Sequence, residues 1–172
     1  SSILHTCYNV SLFKAYEIGQ LSSIYPVARG TAPLFIFAIS YAFFGSKISN
    51  DMAIGVTFIC SGLIAYGLLQ LRRNCSNLIE LKLALLNGLF IALYSLNDAF
   101  GTRMTGNALS FLGMMALFNR IFLFIYLYVF EKNFLPRLIS GFERRFILGG
   151  IISFICYVIV LAAYMHLPVA VV

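Results

Sequence analysis

The sequence predicts an all-α, polytopic membrane protein, a bundle of about six transmembrane helices. Of the 172 residues, 61% are hydrophobic and only 10% are charged. Soluble domains carry about 25% charged residues, so this chain has too few charges to cover a surface that faces water. Long apolar runs alternate with short polar connectors along the chain. The same hydrophobicity excludes an intrinsically disordered chain, which would bury too little apolar surface to fold.

Six apolar segments have a length close to that of a transmembrane helix, which is about 17–25 residues. They cover residues 1–18, 24–45, 52–71, 83–100, 109–130 and 146–165. The short connector 19–23 predicts that the first two helices are antiparallel neighbours. The second segment contains Pro26, Gly30 and Pro33. Because proline lacks the amide hydrogen that a helix needs, we expect a break in the first half of that segment.

The third segment follows a polar turn and is rich in glycine. Ser49 or Asn50 is the predicted N-cap of its helix. Gly55, Gly62 and Gly67 within the helix predict close contact with a neighbouring helix, because small residues let two backbones approach.

The stretch 94–111, with the sequence YSLNDAFGTRMTGNALSF, separates the fourth segment from the fifth. It gathers two asparagines, an aspartate and an arginine around Gly101 and Gly106, which predicts a break in the helix there. Charges at the end of a hydrophobic span are costly unless they face a partner or a water-filled cavity. We therefore interpret this stretch as part of a polar path through the membrane, a feature that is typical of transporters.

Six residues are candidates for binding a substrate or lining a cavity. They are Arg29, Tyr94, Asn97, Asp98, Asn119 and Arg120. Arg120 lies about ten residues, or about 15 Å, into the fifth span, close to mid-membrane. Exposing that charge to lipid would cost at least about 2.5–3.5 kcal/mol. We therefore expect Arg120 and Asp98 to border one aqueous cavity, with Arg29 near its rim.

Two interpretations of Asp98 and Arg29 stay open at this point. In the first, Arg29 holds an anionic group of the cargo and Asp98 carries a coupling proton. In the second, Asp98 forms a structural ion pair with Arg103 or Arg29. Arg103 lies in a predicted turn, where its long side chain can reach the membrane surface, so a structural role is favoured for it. Tyr94 lies one turn before Asp98 on the same helical face, either in a cavity or as an interface anchor.

The sequence predicts no catalytic, metal or cofactor site. The four cysteines lack CxxC spacing, and His5 and His166 have no companion ligands nearby. Phosphate-binding loops and nucleophile elbows are absent from the sequence. The net charge of +6 does not predict nucleic-acid binding, because Lys and Arg lie mostly in the connectors, where they set membrane orientation. We therefore do not expect an enzyme.

A weak internal repeat links the first segment to the sixth. The first ends in LFKAY at 12–16 and the sixth in VLAAY at 160–164, and a proline follows each, Pro26 and Pro168. Residues 166–168 are interpreted as the start of a seventh helix. Two related halves are common in transporters.

Three stretches together resemble the EamA-type members of the drug/metabolite transporter superfamily. They are YPVARGTAPLFIFAISYAFFGSKIS at 25–49, GVTFICSGLIAYG at 55–67 and YSLNDAFGTRMTGNALSF at 94–111. In that family a proline-led helix ends in glycine and glutamate before a polar turn and a glycine-rich helix. Here Ser46 stands after Gly45, in place of the glutamate, so this turn is given no role.

The resemblance implies a ten-helix transporter of two inverted five-helix repeats, of which this chain corresponds to helices three to eight. Residues 1–71 would be the remainder of the first repeat and residues 72–172 the start of the second. Missing helices or a second copy would then complete the bundle in the cell membrane. The implied activity is transport of small metabolites or drugs by alternating access, with a coupling proton or ion as a further partner. No cofactor and no nucleic acid are implied.

Two other functional classes remain as alternatives. The first is a membrane-embedded enzyme with Asp98 as a base or metal ligand, although such enzymes gather their acidic and histidine residues at one interface. The second is a membrane anchor or assembly subunit without a cavity, which would not need Arg120 in mid-span. The alternatives differ in whether Arg29, Asp98 and Arg120 point into one shared cavity.

Overall fold

The computed structural model describes residues 1–44, 50–73, 78–131, 144–167 and 169. Six α-helices account for almost all of these residues. They are α1 (Ser2–Ile18), α2 (Leu21–Phe44), α3 (Asn50–Arg73), α4 (Leu78–Thr105), α5 (Ala108–Phe130) and α6 (Arg144–His166). The all-α prediction is confirmed, and each predicted segment coincides with one helix to within a few residues. Ser46, the predicted cap at Ser49 and most of the predicted seventh helix lie outside the described residues.

Four of the six helices are long and apolar enough to cross a membrane. They are α2 over Ile24–Phe43, all of α4, all of α5, and α6 over Phe146–His166. Helix α1 has 17 residues, and α3 contains a shorter apolar stretch, Ala53–Leu69. The bundle therefore has the character of a membrane protein, with four candidate spans in the described part of the chain where the sequence predicted about six.

Helix α4 is the centre of the bundle and packs against α1, α2, α5 and α6. Helix α2 lies between α4 and α3. Small buried side chains on α4, such as Ala84, Ala92 and Ala99, let the neighbouring helices approach closely. Around Ala99, Leu112 of α5 and Leu161 of α6 complete one buried apolar cluster.

The closest approach of α2 and α4 depends on a glycine that the sequence did not single out. A Cβ atom at Gly88 would overlap Thr31 Oγ1 and lie 2.9 Å from the carbonyl oxygen of Ala28. Gly30 of α2 likewise faces α3, where a Cβ would lie 2.9 Å from Leu63 Cβ.

Two of the three α3 glycines that were expected to contact a neighbouring helix do not do so. Gly55 and Gly62 face open space, with no atom within 4 Å of the position that a Cβ would occupy. The prediction of a close contact at these two glycines is therefore wrong. At the α2–α3 contact the small residue belongs to α2, because α3 presents the larger side chains of Leu63 and Ile64 to Gly30.

Helix α2 continues without interruption through Pro26 and Pro33, so the predicted break in its first half is wrong. Packing against α3 on one side and α4 on the other holds both halves of α2 in one helix. Neighbouring helices stabilise prolines in membrane helices in this way. The Thr31 hydroxyl, between the prolines, donates to the carbonyl oxygens of Val27 and Ala28, at 2.9 and 3.2 Å.

The break predicted around Gly101 and Gly106 is confirmed at Gly106, whereas α4 continues through Gly101. Helix α4 ends at Thr105, and Gly106 has φ +64°, the left-handed conformation that glycine adopts at helix C-termini. Asn107 then caps α5, because its Oδ1 accepts hydrogen bonds from the amides of Leu109 and Ser110, at 3.0 and 3.1 Å.

Arg103 joins this turn to the end of α6. Its Nε donates to the carbonyl oxygen of Tyr164 and its terminal nitrogen to that of Leu167, both at 2.8 Å. Carbonyl groups at a helix C-terminus lack intrahelical partners and are negatively polarised, so a guanidinium satisfies them well. The structural role favoured for Arg103 is consistent with these contacts.

Candidate functional site

A buried polar cluster surrounds Asp98 in the middle of the bundle. The Asp98 side chain has no exposed surface. Its carboxylate accepts hydrogen bonds from the hydroxyl groups of Ser1 and Tyr157, and its Oδ2 lies 2.9 Å from Nε2 of His5. These three partners come from the start of α1 and from α6, so the cluster joins three elements through one carboxylate.

Aromatic rings enclose the imidazole of His5. The His5 ring stacks on Tyr94 at 4.1 Å between centroids, with an interplanar angle of 27°. The Tyr157 ring lies edge-on to His5 at 5.9 Å, and its hydroxyl is 3.3 Å from His5 Nε2. Tyr8 packs edge-on against the far side of the cluster, 5.5 Å from Tyr94. Nε2 of His5 therefore lies within reach of both an ionisable carboxylate and a phenol.

Hydrogen bonds to α5 fix the position of the first turn of α1. The Ser2 hydroxyl donates to the carbonyl oxygen of Met115, at 3.2 Å. The Thr6 hydroxyl lies 3.2 Å from Oδ1 of Asn119 and 3.0 Å from the carbonyl oxygen of Ser2. These contacts hold α1 in the groove between α4 and α5, which places His5 against Asp98.

A structural ion pair between Asp98 and an arginine, one of the two interpretations of the sequence, is not formed in the described part of the chain. Arg103 caps α6, and Nε of Arg29 donates to the hydroxyl of Tyr25 at 3.2 Å. The ion-pair partner of Asp98 is instead His5, whose charge depends on protonation. A buried carboxylate needs compensating donors, and hydroxyl groups together with an imidazole supply them here.

A cavity of about 400 Å³ lies between α2 and α6, and residues of α4 complete its lining. We call it the α2–α6 cavity. Its polar lining comprises Arg29, Tyr94, Ser95, Ser153, Tyr157 and Tyr164. Its apolar lining includes Ile36 and Ile91. Two of the tyrosines, Tyr94 and Tyr157, also contact His5 or Asp98, so they form a wall shared by the cavity and the buried cluster.

The candidate residues from the sequence are distributed over several places. Arg29 and Tyr94 line the α2–α6 cavity, and Asp98 lies behind its tyrosine wall. Asn97 is exposed, and Asn119 is half-buried against Thr6.

Arg120 is exposed on α5 and is not among the side chains that line this cavity. The expectation that Arg120, Asp98 and Arg29 border one cavity is therefore not met by the α2–α6 cavity. Residue 120 follows Asn119 by about 100° around the helix, and it is Asn119 that contacts Thr6 of α1. Any function of Arg120 in transport stays a prediction.

Sequence reasoning missed His5 and Tyr157. His5 was considered only as a metal ligand, and the described residues contain no group of three potential metal ligands. An imidazole within an otherwise apolar first segment was the available signal, because such a group needs a polar partner inside the bundle. Tyr157 gave no signal, since it is one of ten tyrosines in the chain.

The arrangement can hold one exchangeable proton away from lipid and bulk water. A carboxylate and an imidazole at hydrogen-bond distance can share a proton, and a phenol beside them can donate to either. In contrast to this buried pair, Arg29 presents a positive charge at the wall of the open cavity. Comparison of the chain with protein-family models, with curated proteins and with solved structures found no match. The function therefore has to be argued from this site.

Proposed function

We propose that the protein is a secondary transporter of the cell membrane that moves small metabolites or drugs by alternating access. The observation that supports this most directly is the α2–α6 cavity. Its volume of about 400 Å³ lies in the usual range for small-molecule sites, about 300–1,000 Å³. Apolar walls with a few polar groups, here one guanidinium and several hydroxyls, are also typical of such sites.

The cavity lies between two helices that could move relative to each other, as alternating access requires. Helices α2 and α6 both pack on α4, and the cavity lies where they face each other. The family resemblance assigns α2 to the first repeat and α6 to the second. Alternating access needs a binding site between units that move relative to each other. A cavity between α2 and α6 meets this requirement.

The charge of the cavity favours cargo with an anionic group. Nε of Arg29 donates to Tyr25, and its guanidinium lies 5.6 Å from the centroid of the Tyr25 ring, which orients the side chain. Among the described residues, no carboxylate lies within ion-pair distance of Arg29. The remaining N–H groups of Arg29 can therefore bind a carboxylate or phosphate of the cargo.

The alternative functions fit these observations less well. An enzyme that used Asp98 as a base would need contact between Asp98 and its substrate, whereas the Asp98 side chain is fully buried behind Tyr157. An anchor or assembly subunit gains nothing from a polar cavity next to a buried carboxylate, because both features reduce stability in a membrane.

A native cysteine allows a direct test for water in the cavity. Cys156 lines the cavity, whereas Cys7 is exposed but does not line it. Two variants, each retaining one of these cysteines as the single thiol, are reconstituted in liposomes and treated with a charged methanethiosulfonate reagent. Such reagents react with the thiolate, which forms in water and not in lipid. We expect fast labelling of Cys156 and slow labelling of Cys7.

The same variants can identify the cargo. Members of a panel of small organic anions are added in turn, and a compound that occupies the cavity should slow the labelling of Cys156 but not that of Cys7. Compounds that protect Cys156 are then tested for uptake into the liposomes. Equal, slow labelling of both cysteines would mean that the cavity is dry and would overturn the proposal. Protection without uptake in the wild-type protein would favour a binding protein over a transporter.

A further inference from the structure

We propose that His5 and Asp98, together called the His5–Asp98 pair, form the site that binds the coupling proton, and that Tyr157 links this site to the cargo. This inference rests on the proposed transport function and assigns its coupling ion. It also assigns two residues, His5 and Tyr157, that the sequence did not indicate.

Because the pair is buried, binding of one proton there changes the stability of the whole bundle. With Asp98 ionised and His5 neutral, the pair carries one negative charge, and uptake of one proton makes it neutral overall. An uncompensated charge in a low-dielectric interior is costly, whereas a hydrogen-bonded ion pair is much less so. The charge state of the His5–Asp98 pair therefore changes the stability of this arrangement of helices relative to any other.

His5 is the basic side chain that contacts Asp98. On the elements packed around it, the titratable or charged side chains that share the buried cluster or the α2–α6 cavity include Tyr8 of α1, Arg29 of α2, Tyr94 of α4, and Tyr157 and Tyr164 of α6. In the part of the chain that the structure describes, neither Arg29 nor Arg103 contacts Asp98. Arg120 is exposed on α5. Among the described lysine and arginine side chains, none forms an ion pair with Asp98.

Tyr157 provides a route between the cavity and the pair. Its hydroxyl donates to Asp98 and lies 3.3 Å from His5 Nε2, while its side chain lines the α2–α6 cavity. A proton can enter when Tyr157 passes its own proton to the pair and accepts a replacement from cavity water. The balance is one proton lost by water and one gained by the pair, and Tyr157 ends unchanged. Tyr94, stacked on His5, closes the remaining side of this route.

The charges also predict the direction of coupling. An anion bound at Arg29 occupies a cavity whose back wall adjoins the His5–Asp98 pair. A negative pair repels this anion, and a neutral pair does not. Binding of the anion therefore favours uptake of the proton, and by linkage the proton favours binding of the anion. This predicts that anionic cargo and proton travel together, in the same direction.

The first test observes His5 directly. The chain has two histidines, so protein labelled with ¹⁵N-histidine gives two sets of signals, and a His166→Gln variant assigns them. We expect the His5 signals to respond to pH in wild-type protein and this response to be altered in Asp98→Asn, because the imidazole then faces a neutral amide in place of a carboxylate.

Glu80→Gln is the matched control for this titration. Glu80 is also buried on α4, but about 27 Å from Asp98 along the helix axis. The pH response of the His5 signals should not change in this variant. An unchanged response of these signals in Asp98→Asn, or no response to pH in wild-type protein, would overturn the inference. The second outcome needs no variant, so misfolding of Asp98→Asn does not prevent the test.

The second test measures the potential inside the cavity. Cys156 is labelled with a negatively charged and a positively charged methanethiosulfonate reagent of similar size, and the ratio of the two rates is followed with pH. The thiolate fraction cancels in this ratio. Removal of a unit charge about 10 Å away changes such a ratio about fourfold even with water-like screening, so neutralisation of the pair should raise the ratio of negative to positive reagent by a factor of this order as the pH falls. The double variant His5→Gln/Asp98→Asn should show no such rise, whereas Glu80→Gln should retain it.

The outcomes separate this inference from the proposed function. If neither reagent labels Cys156, the cavity is dry and the transport proposal fails. If both reagents label Cys156 but the ratio of their rates does not change with pH in wild-type protein, the water-filled cavity is supported and the assignment of the proton site is wrong. If the double variant retains the full rise, the pH response comes from other groups and the assignment to His5 and Asp98 is wrong.

Discussion

Replacement of Gly88 by alanine is expected to force α2 away from α4 and to destabilise the bundle. A Cβ atom at this position would overlap Thr31 Oγ1 and approach the carbonyl oxygen of Ala28 to 2.9 Å. Thr31 cannot turn away freely, because its hydroxyl donates to the carbonyl oxygens of Val27 and Ala28. The carbonyl of Ala28 belongs to the helix backbone, so it can move only with α2 itself.

The expected magnitude follows from three terms. Overpacking of a tight contact costs about 1–3 kcal/mol. Loss of the Thr31 hydrogen bonds adds about 0.5–1.5 kcal/mol. Alanine is better than glycine in a helix by about 0.5–1 kcal/mol, and this offsets part of the loss. We therefore expect the free energy of unfolding to fall by about 1–3 kcal/mol in Gly88→Ala.

The assay is reversible unfolding in mixed micelles or bicelles, with Gly113→Ala as the matched control. Gly113 is also a glycine inside a helix, but nothing lies within 4 Å of its Cβ position. This control should be neutral or slightly stabilising. The double variant Gly88→Ala/Thr31→Ala should recover part of the loss, because the overlapping hydroxyl is gone. If Gly88→Ala and Gly113→Ala are equally stable, the close approach of α2 and α4 described above is refuted.

Two further predictions concern the α4–α5 turn and the exposed arginine of α5. Asn107→Ala should lower the free energy of unfolding by about 1 kcal/mol because two amides at the start of α5 lose their acceptor, whereas Asn107→Ser should retain most of the stability. Destabilisation of both variants to the same degree would argue against a capping role. Arg120→Leu should leave the labelling rate of Cys156 unchanged, because Arg120 does not line the α2–α6 cavity, and membrane insertion should be retained or improved. Slower or faster labelling in this variant would show that Arg120 acts on the cavity after all.

Local signals in the sequence predicted those features of the fold that local chemistry determines. The turn between α4 and α5 follows from Gly106, which adopts a positive φ, and Asn107, which caps the next helix. The break expected at Pro26 and Pro33 depended instead on the neighbours of α2. A helix packed on both sides can stay continuous where an isolated one would be interrupted, and a single sequence does not show those neighbours.

The site was predictable only in part, for a similar reason. A carboxylate within an apolar segment is costly in any arrangement of helices, so Asp98 could be identified from the sequence alone. Its partners could not, because His5 and Tyr157 are separated from it by 93 and 59 residues. Their contact depends on how α1 and α6 pack on α4. The same packing places Arg29 and Tyr94 at one cavity and leaves Asn97 and Arg120 outside it.

The burial of Asp98 argues against the enzyme alternative, whereas it is compatible with a proton-binding site. A base must contact its substrate, which would require Tyr157 to leave the carboxylate and a molecule of cargo size to reach it. A proton needs no such space, because it can pass through the Tyr157 hydroxyl while the side chains stay in place. Tyr157→Phe distinguishes the two cases: it removes the route for a proton, and it does not obstruct a substrate. We therefore expect Tyr157→Phe to slow the response of the cavity potential to a pH jump. If Asp98 were instead a catalytic base, the same variant would still convert its substrate.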